Sequence, residues 1–221
     1  MAGMARSSRL GRLLWLTAFG MAFGYVEAAV VVYLRELYYP GGFAFPLALL
    51  PTRILVVETV RELATLVMLW AVAWTAGGSG RARFGAFCFL FGVWDLVYYL
   101  VLLVVLHWPE SLLAWDVLFL IPGVWAGPVL SAVLVAVSLI VAGVLFLSED
   151  VRERPPVRDR WTWGGAMASL VLLLGSFLAN HGRVQAGELP RGFPWVPYGL
   201  GFLLAWSVFF RVFLRRPRPP G

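Results

Sequence analysis

The sequence predicts an all-α integral membrane bundle of six transmembrane helices, on three observations. Hydrophobic residues make up 61% of the 221 positions and charged residues only 14%, against about 25% charged in an average soluble domain. Mean hydropathy is +0.82, and the apolar residues come in blocks of about 20, the length a helix needs to span a hydrocarbon core. The arginines gather in alternate loops, as they do in membrane proteins of fixed orientation. A soluble chain of this size could not cover so much apolar surface. In lipid the cost disappears, provided every backbone group is satisfied internally, as in a helix. One compact bundle over residues 1–221 is expected, with no separate soluble domain.

The elements follow in order. Arg6, Arg9 and Arg12 precede an apolar run over 13–34. Its basic flank imitates a signal peptide, but the run is too long for an h-region, contains Glu27 and lacks a small-residue cleavage site, so it reads as a retained helix. Pro40-Gly41-Gly42 breaks the chain before a second helix over 52–76, and Gly77-Gly78-Ser79-Gly80 before a third over 83–106. A fourth covers 128–147. Pro155-Pro156 precedes a fifth over 161–180, and a proline-bounded turn at 190–194 precedes a sixth over 197–214. Each break is turn chemistry. Between the third and fourth spans, residues 109–121 are too few to cross. Pro109 suits a first helical position and Glu110 the positive end of a helix, so a short re-entrant or interfacial helix on the outer face is expected. No internal repeat is visible, which speaks against an inverted-repeat transporter.

The basic balance (net charge +6, pI about 10.1) is an orientation signal and does not point to nucleic acid. The N-terminal tail, the second loop, the fourth loop and the C-terminal tail hold twelve arginines, and the alternate loops hold four. Both termini are therefore expected in the cytoplasm. Tyr38, Tyr39, Trp108, Trp115, Trp125, Trp195 and Tyr198 read as anchors at the outer boundary. Tyr33, Tyr98 and Tyr99 read as interface or packing residues, Cys88 as a small buried hydrophobe, and Gly20 with Gly24 as a GxxxG hint of close helix contact.

The chemistry lies in charges within the first three spans: Glu27, then Glu58, Arg61 and Glu62, then Asp95. Each costs at least about 2.5–3.5 kcal/mol at mid-membrane. At 1.5 Å per residue, Glu27 and Glu58 fall about 10 Å below the outer helix ends, and Glu62 and Asp95 about 15 Å below. Glu58 and Glu62 share a helix face, with Arg61 alongside. Four carboxylates and one guanidinium sum to −3, a charge that low dielectric does not leave uncompensated. Bound protons or a cation would balance it, and oxygen ligands suit a hard divalent metal. Glu27, Glu58, Glu62, Asp95 and Arg61 are the candidate catalytic residues. The four carboxylates, with His107 and Asp116 from just above, are the candidate metal ligands. A buried salt-bridge network that only fixes packing explains the same residues, though not the excess negative charge.

Trp108-Pro109-Glu110-Ser111, Trp115-Asp116 and Phe119-Leu120-Ile121-Pro122, with Trp94-Asp95 and Tyr98-Tyr99 before them, resemble a pattern in uncharacterised bacterial multi-pass membrane proteins. The resemblance covers about a quarter of the chain and implies a bacterial inner-membrane location. It supplies no activity and no catalytic residues. Three classes stay open: a metal-dependent intramembrane enzyme, an ion- or proton-coupled transporter, and a packing or assembly subunit. The expected partners are the lipid bilayer and a small ion or small molecule, with a homo-oligomer or a larger membrane complex left open.

Overall fold

A computed structural model describes residues 2–48, 50–148 and 159–214, with side chains from residue 10 onward. The order is α1 (Ala2–Tyr38), α2 (Thr52–Ala76), α3 (Gly80–Leu106), β1 (Trp115–Phe119), β2 (Trp125–Pro128), α4 (Val129–Ser148), α5 (Arg160–Leu178), α6 (His181–Gln185) and α7 (Trp195–Leu214). Five helical stretches are long and apolar enough to cross a membrane: Leu10–Tyr38, Gly80–Leu106, Val129–Ser148, Arg160–Gln185 and Trp195–Leu214. The expected second span, α2, has the length but carries Arg53, Glu58, Arg61 and Glu62. Large apolar side chains such as Trp15, Val57, Val171 and Leu203 stand exposed along the helices, the outward-facing pattern lipid favours. Arg152, Arg154, Arg158, Arg215, Arg216 and Arg218 of the charge-asymmetry argument, and the side chains of Arg6 and Arg9, lie outside the described residues.

Small residues let the helix backbones approach. A Cβ on Gly20 would stand 2.8 Å from Val93, and one on Gly24 2.8 Å from the Trp94 carbonyl oxygen, so the GxxxG pair of α1 does seat against α3. Gly92 of α3 backs onto Ala136 of α4, and Gly85 meets Gly143 and Phe146. The seven-residue spacing on both helices gives one antiparallel seam. Gly201 of α7 packs on Leu172 of α5 and accepts a hydrogen bond from the Ser169 hydroxyl at 2.9 Å. Ser79 and Asp159 cap α3 and α5 by accepting from Ala82 N and Thr162 N, which satisfies one orphan donor at each end.

The segment read as a short outer helix over 109–121 holds no helix: turns over 109–114 lead into β1, the first strand of a β-hairpin that β2 completes. Trp115 pairs with Pro128, Asp116 with Gly127, Val117 with Ala126 and Phe119 with Trp125, with a bulge between Val117 and Phe119. Aromatic and β-branched residues favour a strand here, and Pro122-Gly123 supplies the turn. Glu110 is exposed and caps no helix. The hairpin descends into the bundle, where its non-helical backbone must be satisfied by protein. Side chains do this at the tip: Leu120 N donates to Glu62 at 2.8 Å, and Val124 N to His181 Nδ1 at 2.9 Å. Two of the expected boundary aromatics pack against protein. Tyr198 is buried and donates to the Ser131 carbonyl at 2.7 Å, and Trp125 packs inside against Phe177.

Candidate functional site

The three acidic helices converge on one level. Because α1 continues to Tyr38, Glu27 lies about 16 Å from the hairpin-side end of its helix, one turn deeper than the sequence estimate. Glu62 and Asp95 lie about 15–16 Å from the corresponding ends of α2 and α3. The hairpin reaches the same depth. From Trp115 to Phe119 a strand advances about 13 Å, close to the rise from Arg35 to Glu27 along α1.

A cavity of about 140 Å³ opens between these elements, and Glu27, Glu62 and Asp95 line it with Arg61 and Thr65. Arg61 donates Nη1 to Glu27 and, through Nε and Nη2, two contacts of 2.8 Å to Glu58 Oε2. The Thr65 hydroxyl lies 3.0 Å from both Glu27 Oε1 and the Arg61 carbonyl oxygen. Glu58 does not line the cavity and is buried behind Arg61. Glu62 gives one oxygen to the hairpin tip. Asp95 has no hydrogen bond or ion pair among the described residues. Counted as fully ionised, the four carboxylates and Arg61 still sum to −3, and Glu62 and Asp95 are the two that no guanidinium touches among the described residues.

Aromatic rings form the rest of the wall. Phe91 stacks on Phe119 at 6.2 Å, Trp94 meets Phe119 at 6.2 Å, Phe119 meets Trp125 at 5.4 Å, and Trp125 stacks on Phe177 at 6.0 Å. One connected set of rings thus joins α3, the hairpin and α5. Tyr98 and Tyr99, read from sequence as interface or packing residues, also line the cavity. The indole N–H groups of Trp94 and Trp125 are buried without a partner among the described residues. In the sequence, Trp125 reads as a boundary anchor, and Trp94 and Phe119 fall within the resemblance; nothing there brings the rings together as one wall.

Two expected metal ligands lie elsewhere. Asp116 is 2% exposed and accepts from Arg35 Nη2 at 2.9 Å, from the Tyr99 hydroxyl at 3.2 Å and from Val117 N at 2.9 Å. Arg35 lies between the rings of Phe43 and Trp108, 4.1 and 3.8 Å from their centroids. An aspartate so engaged has little left for an ion. His107 is the exposed left-handed cap of α3, with φ of 53°, outside the cavity wall. Among the described residues, no group of three or more histidine, cysteine, aspartate or glutamate side chains could hold a metal ion. The carboxylates are divided between Arg61, the hairpin and the cavity. His181, which the sequence places at an outer helix end as a weaker ligand candidate than His107, accepts from Val124 N at the hairpin tip.

No family model, curated protein or solved structure matches the chain.

Proposed function

We propose that this chain is a six-span protein of the bacterial inner membrane, with both termini in the cytoplasm, and that it is an ion- or proton-coupled carrier whose cavity holds positive charge. The single observation that carries the reading is Asp95, a carboxylate deep in the bundle, on a cavity wall, with no partner among the described residues. An ion in that position needs protons or a cation to balance it. Counting α2 as a span is supported by its 25 residues and by the inward placement of Glu58 and Glu62, both buried while Val56, Val57, Val60 and Leu63 are exposed. Charged residues that face the bundle interior do not bar a helix from the membrane. Arginine asymmetry then sets the hairpin on the extracytoplasmic side. A divalent-metal enzyme draws less support, since a hard ion asks for several oxygens at about 2.0–2.6 Å.

Reconstitution into liposomes tests the proposal. Wild-type protein should pass protons, or a cation, across the bilayer when a gradient is imposed, and Asp95→Asn should abolish the flux while inserting normally. Flux that is absent from the wild type, or equal in the variant, would refute the carrier reading. A second reading, a packing subunit, draws on one observation: Arg61 already bridges Glu27 and Glu58. Under it, Arg61→Met should lower stability and Asp95→Asn should change neither flux nor cation response.

A further inference from the structure

The composition of the cavity wall narrows what the positive charge is. A hard inorganic ion takes six or more oxygens, and this wall offers few that are not already engaged. Arg61 and Thr65 occupy Glu27, and Leu120 N takes one oxygen of Glu62. What remains is the Asp95 carboxylate, one oxygen of Glu62, the Tyr98 hydroxyl and a ring set whose Trp94 and Trp125 indole N–H groups have no partner among the described residues. Water needs two to four polar partners at each position, which ring carbons do not supply. Aromatic faces do bind one kind of ion well. They attract a cation placed over them, and the attraction grows where water is excluded, as with ammonium groups in aromatic cages.

Resting on the reading of this cavity as a cation site, we infer that its ligand is a small organic ammonium ion, charge-balanced by Asp95 and Glu62 and held by its alkyl groups against Trp94, Phe119 and Trp125. The volume of about 140 Å³ suits a head of a few carbons around one nitrogen. Two of these rings, Phe119 and Trp125, belong to the hairpin, so the hairpin selects the ligand as well as closing the bundle. Its grip on Glu62 through Leu120 N ties the ring wall to the acidic wall.

The test uses the full chain in detergent with tetramethylammonium chloride as probe, read by tryptophan fluorescence and by thermal midpoint, against sodium and magnesium chloride at matched ionic strength. Tetramethylammonium should saturate the fluorescence change and raise the midpoint where sodium does not. Asp95→Asn should weaken its binding roughly ten-fold or more, and Phe119→Leu should weaken it while leaving any inorganic-ion response alone. If Asp95→Asn does not fold, Phe119→Leu alone decides. Saturable binding of magnesium without tetramethylammonium, or a response to pH alone, would overturn this inference and leave the positive-charge site standing. No response to any cation or to pH would sink both.

Discussion

Two arginines, Arg35 buried and Arg61 half-buried, divide the molecule into two electrostatic regions. Arg35 meets one carboxylate, Asp116, between two aromatic rings, and the region is neutral and filled. Arg61 meets two carboxylates, Glu27 and Glu58, with Glu62 and Asp95 close by, and the region is negative and hollow. Both sets sit where ions are costly. The first is matched one to one, as expected of architecture: it ties α1 to β1 and, through the Tyr99 hydroxyl, to α3. The second, counted as ionised, is mismatched by three charges, and three of its four carboxylates line open space, which architecture alone does not require. A buried ion pair is weak evidence for function; an excess of one sign around a cavity is stronger.

The largest effect should come from breaking the matched region. Arg35→Met strands Asp116 among apolar groups, and loss of one partner of a buried pair costs about 3–5 kcal/mol. Thermal unfolding in detergent should show a lower midpoint, and adding Asp116→Asn to that variant should recover part of it. If the single change is silent, the Arg35 region is not what anchors the hairpin.

An intermediate effect should come from the residue that joins the hairpin to the second region. Glu62→Leu leaves the half-buried Leu120 N without its acceptor, a loss of about 1 kcal/mol or more. Glu62→Gln keeps an acceptor oxygen and should lose less. Equal losses from the two would mean that the carboxylate charge itself stabilises the fold, and the contrast between the regions would weaken.

The helices were legible because each is a run of about 20 apolar residues between proline or glycine breaks, and lipid makes such runs helical. Glu27, Glu62, Asp95 and Arg61 were legible because charge inside an apolar run is costly wherever the run goes. The hairpin was not. Pro109 and Glu110 imitate a helix start, and a short apolar run does not distinguish strand from helix by periodicity. Its better clue was Pro122-Gly123 between two aromatic and β-branched stretches. The Arg35–Asp116 pair spans 81 positions, so no local pattern could announce it. Asp116 therefore read as a ligand when it is a structural partner. The ring wall drew on α3, the hairpin and α5, and only their packing brings those rings together.

The smallest effect on stability should be at Asp95, and that makes it the sharpest test of the contrast. Asp95 and Asp116 are both aspartates in the hairpin half of the bundle, and Asn is nearly isosteric with each. Asp116→Asn removes the charge that Arg35 needs and should cost on the scale of a broken buried pair, about 3–5 kcal/mol. Asp95→Asn removes a charge with no partner among the described residues, so no attraction is lost and a desolvation penalty is relieved. The change in stability should stay within about 1 kcal/mol, the size of one net hydrogen bond, or favour the variant. The flux should nonetheless disappear, and tetramethylammonium binding should weaken roughly ten-fold or more. If Asp95→Asn instead destabilises as much as Asp116→Asn, the second region is a scaffold like the first, and the cavity is a gap between its struts.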